Sequence, residues 1–151
     1  MAGPKKNITL ACWDYDRARP VLDGRVPISG WQAETTAAPP GILFPLAVGE
    51  APYDVTELSF ASYLIQMSRG ESAYVAIPVY LSRAFRHGAI YVRTDAGIET
   101  VKDLEGRICG VPEYAMTLAV WVRGILADDY GVDVMNIRYR TAGLNEPGRT
   151  E

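Results

Sequence analysis

An α/β fold built around a parallel crossover is what this sequence predicts, and three features carry that reading. Short apolar runs, such as Ile8–Trp13 and Arg107–Val111, end in polar loops as buried strands do. Two segments place apolar residues at helical spacing and stop at Gly70 and Gly131. The second of these helices lies between two strand-like runs, and strand, helix, strand in that order implies a right-handed parallel crossover.

The bulk properties narrow the classes. At 151 residues the chain has room for one ordinary domain or for pieces of two small lobes. With 48% hydrophobic and 22% charged residues, it has globular rather than disordered composition. A net charge of -3 argues against a general nucleic-acid binder, so any anion binding must come from locally placed arginines. Nowhere is there a run of ~18 apolar residues, so no transmembrane helix or membrane partner is expected. The N-terminal MAGPKKNITLACW lacks an apolar run long enough for a secretory signal, which makes a cytoplasmic protein the expectation. Cys12 and Cys109 lie far apart in apolar runs without metal-type spacing. They read as buried free thiols, with a disulfide left open.

Taken in order, Ile8–Trp13 is a buried strand whose carboxyl end opens into Asp14-Tyr15-Asp16-Arg17. Ligands collect at such ends in open α/β sheets, so 13–19 is a candidate site; the competing reading is a solvated turn with Asp16 and Arg19 paired. Residues 21–30 hold Gly24, Pro27 and Gly30 and read as a loop with at most a helical turn. Trp31–Thr36 favours a strand. Pro45 limits the segment 37–50 to a short or kinked helix. Asp54–Leu58 alternates like a strand, and Ser59 or Ser62 can cap a helix through Met67. Glu57 and Ser59 would then sit at that strand's carboxyl end, facing the same site as the 13–19 loop. Tyr74–Leu81, YVAIPVYL, reads as a further strand, with Pro78 arguing for an edge or a bulge.

The stretch 82–95, SRAFRHGAIYVRTD, gathers Arg83, Arg86 and the chain's only histidine, His87, ahead of a β-type Ala89–Val92. A strand that opens with cations and an imidazole suits one wall of an anion-binding cleft; the alternative is a set of solvated surface groups. Residues 95–98 read as a turn and 99–103 as a short helix or turn. Arg107–Val111 follows as a strand, then a helix over 116–130 and a last strand over 135–141. The apolar stripe of Leu118, Trp121, Val122, Ile125 and Leu126 is read as core.

Four blocks, ITLACWDYDRARP, DVTELSFASYL, SRAFRHGAIYVRTD and GVPEYAMTLAVWVRGIL, together resemble the 4,5-dihydroxyphthalate decarboxylases, a family with the type II periplasmic-binding-protein fold. VKDLEGRICGVPEY is similar to the phrase that opens the second lobe across that superfamily. The resemblance implies a two-lobed α/β protein, with a partial lobe one over 1–95 and the start of lobe two over 96–151. Each lobe would be incomplete in this chain, as in an N-terminal fragment.

An ortho-dicarboxylated catechol as substrate asks for arginines to grip carboxylates and aromatic surfaces to sandwich the ring. By this resemblance His87 is the proton donor, and Glu57 orients a hydroxyl or the histidine. Arg83, Arg86 and Arg17 anchor carboxylates, and Trp13, Tyr15 and Tyr114 wall the ring. Ser59 lies at the same strand end, and Thr117 joins backbone N–H groups in holding an oxyanion. Each has a bland counterpart: the histidine a structural partner, Glu57 a salt-bridge partner, the tyrosines packing residues. Arg93 is assigned to an interlobe ion pair. No organic cofactor is expected, and a divalent ion is left open although no ligand spacing is recognisable. The partner is a small aromatic carboxylate, with homo-oligomerisation left open. The alternatives are a non-catalytic solute-binding protein for an anionic or aromatic molecule, or an inactive fragment.

Overall fold

The computed structural model describes residues 6–143 and divides into two units, 1–83 and 84–151. Both are α/β with small parallel sheets.

The first unit is a three-stranded parallel sheet of order β2-β1-β3, formed by β1 (Lys6–Cys12), β2 (Trp31–Ala37) and β3 (Val55–Thr56). β1 is central, and its end carries the buried Ala11 and Cys12. Its pairing with β3 is pinned at the start of the ladder. The Thr9 N–H and hydroxyl each donate to Asp54 Oδ2 at 2.8 Å, and the Asp54 N–H returns to Thr9 Oγ1 at 2.9 Å. A short helical turn, α1 (Arg19–Leu22), follows β1.

Helix α2 (Pro40–Val48) begins on a proline, which fits a first turn whose N–H needs no partner. It tolerates Pro45 inside and buries Leu43 and Ala47 completely, one turn apart. Helix α3 (Phe60–Arg69) is capped by Ser59, whose hydroxyl accepts the Ser62 N–H, and stopped by Gly70 at φ 70°. That left-handed cap is where glycine avoids the Cβ penalty. Buried Gln66 ties α3 to α2 by donating to the Val48 carbonyl at 3.2 Å.

The second unit is the predicted crossover. β4 (Ile108–Val111) and β5 (Arg138–Thr141) pair in parallel, with α4 (Thr117–Asp128) between them in sequence. Leu126, Val132 and Ile137 form its core, joined by Ile90, Leu104, Val122 and Tyr139. A 3-10 turn over Val101–Leu104 starts with a reciprocal Thr100–Asp103 capping box. Further on, the Glu105 carboxylate accepts the Asp133 N–H at 2.9 Å and staples that turn to the end of the crossover.

Several expectations change. Tyr74–Leu81 is not a strand: it runs unpaired, bent at Pro78 by a bond from the Val79 N–H to the Ile77 carbonyl, with Val75 88% exposed. Ala89–Val92 is not one either. His87–Ala89 forms a 3-10 turn instead, and Phe85 and Tyr91 are 95% and 90% exposed. β-propensity measures how well a side chain suits a pleated, half-buried surface. Among the described residues neither segment has a neighbouring strand to make that surface. Arg93 pairs locally with Asp95 at 2.6 and 2.9 Å rather than across lobes. Cys12 is buried and Cys109 half-buried, and both are free thiols. No helix among the described residues is long and apolar enough to cross a membrane.

Candidate active site

At the carboxyl end of β1 the chain leaves the sheet through Trp13 and turns over 14–18, where the N–H groups of Ala18 and Arg19 both reach the Tyr15 carbonyl. Glu57 comes to the same place because its N–H continues the β1–β3 ladder onto the Ala11 carbonyl at 2.9 Å. From there its carboxylate accepts the Trp13 N–H at 3.0 Å and the Tyr15 hydroxyl at 2.6 Å. Three residues singled out from sequence thus meet in one hydrogen-bonded node. The expected shared strand end is what brings them together.

The node's electrostatics follow from its acid. Burial, then the hydrogen bond to Glu57, pushes the Tyr15 hydroxyl up to about 12, against the opposing effect of a bond from Ser82. Burial, with Glu57 and Asp14 adding negative charge, pushes the Cys12 thiol up to about 11. Cys12 is therefore a packed thiol at neutral pH rather than a nucleophile. Arg17 lies 5.5 Å from the centre of the Tyr15 ring and donates to the Leu81 carbonyl. Arg19 pairs with Asp14 in a two-bond fork, 2.8 and 2.7 Å, not with Asp16 as the local-turn reading had it. That fork holds the Asp14 carboxyl below its usual range. Ser59 is committed to capping α3 at the same strand end, and Arg83 donates to the Tyr80 carbonyl at 3.0 Å.

In the second unit the remaining residues fall into two groups. Arg86 and His87 line a small pocket of about 50 Å³ against Ile90, Val122, Ile125 and Tyr130. There His87 Nε2 stands 3.9 Å from Asp129 Oδ2, both side chains more than half exposed. Tyr114 and Thr117 lie at the opposite end of α4, in the turn after β4 and at the helix's first position. A helix of 12 residues is about 18 Å long, so Thr117 and His87 are separated by more than one aromatic ring. Tyr114 meets Tyr139 edge-on, ring centres 5.2 Å apart, and the Arg123 guanidinium sits 3.8 Å from the centre of its ring.

Arg123 and Asp129 were not singled out from sequence, and Asp14 and Ser82 entered only as members of the 13–19 and 82–95 stretches. Asp14 and Arg19 are five apart in a loop, and Arg123 reaches Tyr114 across nine positions of turn and helix, so no short spacing marks either pair. Among the described residues, no group of three or more His, Cys, Asp or Glu is set to hold a metal ion.

No protein-family model matches the chain. Over 147 residues, 97% of its length, it is 43% identical to a 4,5-dihydroxyphthalate decarboxylase of Comamonas testosteroni and likewise 43% identical to one of Pseudomonas putida. Those matches cover 44% and 57% of the two proteins, so the chain spans about half the length of the curated relatives it matches. The resemblance carried by the four sequence blocks is borne out by both.

Proposed function

We propose that this chain, related along 97% of its length to 4,5-dihydroxyphthalate decarboxylases, carries substrate-binding and proton-delivering groups of a carboxy-lyase acting on a dihydroxylated aromatic dicarboxylate. The observation that carries the reading is 43% identity sustained over 147 residues. The fold proposed with it is the two-lobed periplasmic-binding-protein type, lobe one over 1–95 and lobe two from 96 onward.

The reaction replaces an aryl carboxylate by hydrogen. A proton adds to the ring carbon bearing the departing group, the C–C bond breaks, its electron pair restores the aromatic ring, and CO2 leaves. The ring hydroxyl para to that carbon supplies electrons to the protonation step, so the route uses no organic cofactor. Arg17, Arg83 and Arg86 grip the carboxylates, and guanidinium suits them because its planar fork matches a carboxylate's two oxygens. Trp13, Tyr15 and Tyr114 flank the ring. Glu57 accepts from a substrate hydroxyl as it accepts from Tyr15. Ser59 and Thr117 stand at helix starts, whose N–H groups favour anionic oxygens.

His87 delivers the proton, because an imidazole ring nitrogen can donate a proton and take one back. Reaching a ring held at Tyr114 requires the 84–98 segment to leave the end of α4, where Ile90 packs on the core, Arg86 and His87 line the pocket against Val122 and Ile125, and His87 Nε2 lies 3.9 Å from Asp129 Oδ2. Ultraviolet difference spectroscopy of 4,5-dihydroxyphthalate with the chain, beside His87→Ala, tests the proposal. Conversion to the monocarboxylate by the parent and its loss in the variant are expected. Saturable binding without turnover would replace this reading with that of a solute-binding protein.

A further inference from the structure

We infer that Arg123 is a positioning residue that sets Tyr114 as a ring wall for the aromatic acid; the role rests on the substrate class proposed above, the positioning on geometry alone. Tyr114 sits in the short turn that Pro112 starts at the end of β4, and the turn's bond from the Met116 N–H to the Glu113 carbonyl is long at 3.4 Å. Arg123, two helical turns into α4, reaches back and grips Tyr114 twice. Its Nη1 donates to the Tyr114 carbonyl at 2.9 Å, and its guanidinium lies 3.8 Å from the Tyr114 ring centre. The same group is 5.6 Å from the Tyr139 ring, so one cation ties the turn, helix α4 and strand β5 together.

Tyr139 is held through its ring, since its buried hydroxyl finds no hydrogen-bond partner among the described residues. The arrangement needs arginine: a planar guanidinium stacks on a ring and donates sideways at once, which an ammonium cannot do. Tyr114 nonetheless keeps 39% of its surface exposed, leaving aromatic area for a ligand. A flat aromatic ring is the ligand chemistry this surface favours.

The test uses the 151-residue chain with fluorotyrosine at position 114, and compares Arg123→Met, Arg123→Lys and Tyr114→Leu. Arg123→Met is expected to move the fluorine resonance toward its unfolded-chain position. It should also weaken 4,5-dihydroxyphthalate, as Kd or KM, about fivefold, with kcat within about twofold. Arg123→Lys should recover part of both. In the Tyr114→Leu background, Arg123→Met should weaken binding less than about twofold further. An unmoved resonance overturns the positioning. Independent, multiplying losses in the double variant overturn the role, because Arg123 would then hold the ligand itself. If the parent binds no 4,5-dihydroxyphthalate, the substrate proposal fails, and the resonance alone decides the positioning.

Discussion

Glu57 and His87, the two residues assigned chemistry, sit in contrasting surroundings. Glu57 hangs from a backbone ladder: its own N–H is bonded to Ala11, and its two oxygens accept from Trp13 and Tyr15 at 3.0 and 2.6 Å. His87 sits on a 3-10 turn, its Nε2 3.9 Å from the carboxylate of an exposed Asp129. A carboxylate held by two hydrogen bonds suits orientation, whereas an exposed imidazole on a short turn suits a proton donor that must approach and leave a ring carbon. The difference is between a positioned group and a delivered one.

The largest expected effect separates the two ends of α4. His87→Ala should reduce turnover about 10²–10⁴-fold, the usual contribution of a positioned acid or base. Thr117→Ala should cost well under tenfold, because the helix start keeps its N–H groups when the hydroxyl goes. Steady-state rates of monocarboxylate formation measure both. Equal losses would erase the contrast and put the chemistry at the Thr117 end.

Next in size is the node itself. Glu57→Ala leaves the Trp13 N–H and the Tyr15 hydroxyl without their acceptor, and should lower unfolding stability by about 2 kcal/mol in urea. Tyr15→Phe, which removes one of the two bonds, should cost about half that. The Tyr15 hydroxyl offers an independent reading. Its value is raised from 10.0 to about 12, so the folded state favours the protonated form. That contribution is complete below pH 10 and is lost as pH rises through about 12. Alkaline absorbance titration of Glu57→Gln should show this phenol ionising at lower pH than in the parent. An unchanged titration would assign the shift to burial alone.

What the sequence made legible follows the same division. The end of β1 and the start of α3 were readable because their signals are local: an apolar run, a capping serine, a glycine stop, and two strand ends that parallel pairing must bring side by side. Glu57 was found by that logic. Tyr74–Leu81 and Ala89–Val92 were misread because apolar β-type sequence states a preference for a neighbour without supplying one. Arg123 over Tyr114 was invisible because it depends on how the turn before α4 folds back along the helix, and Asp129 beside His87 because it depends on where α4 lies against a segment remote in sequence. A helix's own pattern reports which face is apolar, not which loop its polar side chains reach.

The smallest effect on stability carries the sharpest question. Asp129→Asn removes an exposed carboxylate 3.9 Å from the His87 imidazole, near the limit of contact, so unfolding stability should change by no more than about 0.5 kcal/mol. Turnover is where the variant speaks. If His87 acts after leaving α4, loosening its tether should leave the rate unchanged or raise it. If His87 acts where it rests, among Arg86, Ile90 and Tyr130, losing the carboxylate that faces it should lower the rate. Measured beside His87→Ala, a fall in Asp129→Asn would keep the proton donor and move its site of action to the far end of α4, leaving Tyr114 outside the reaction.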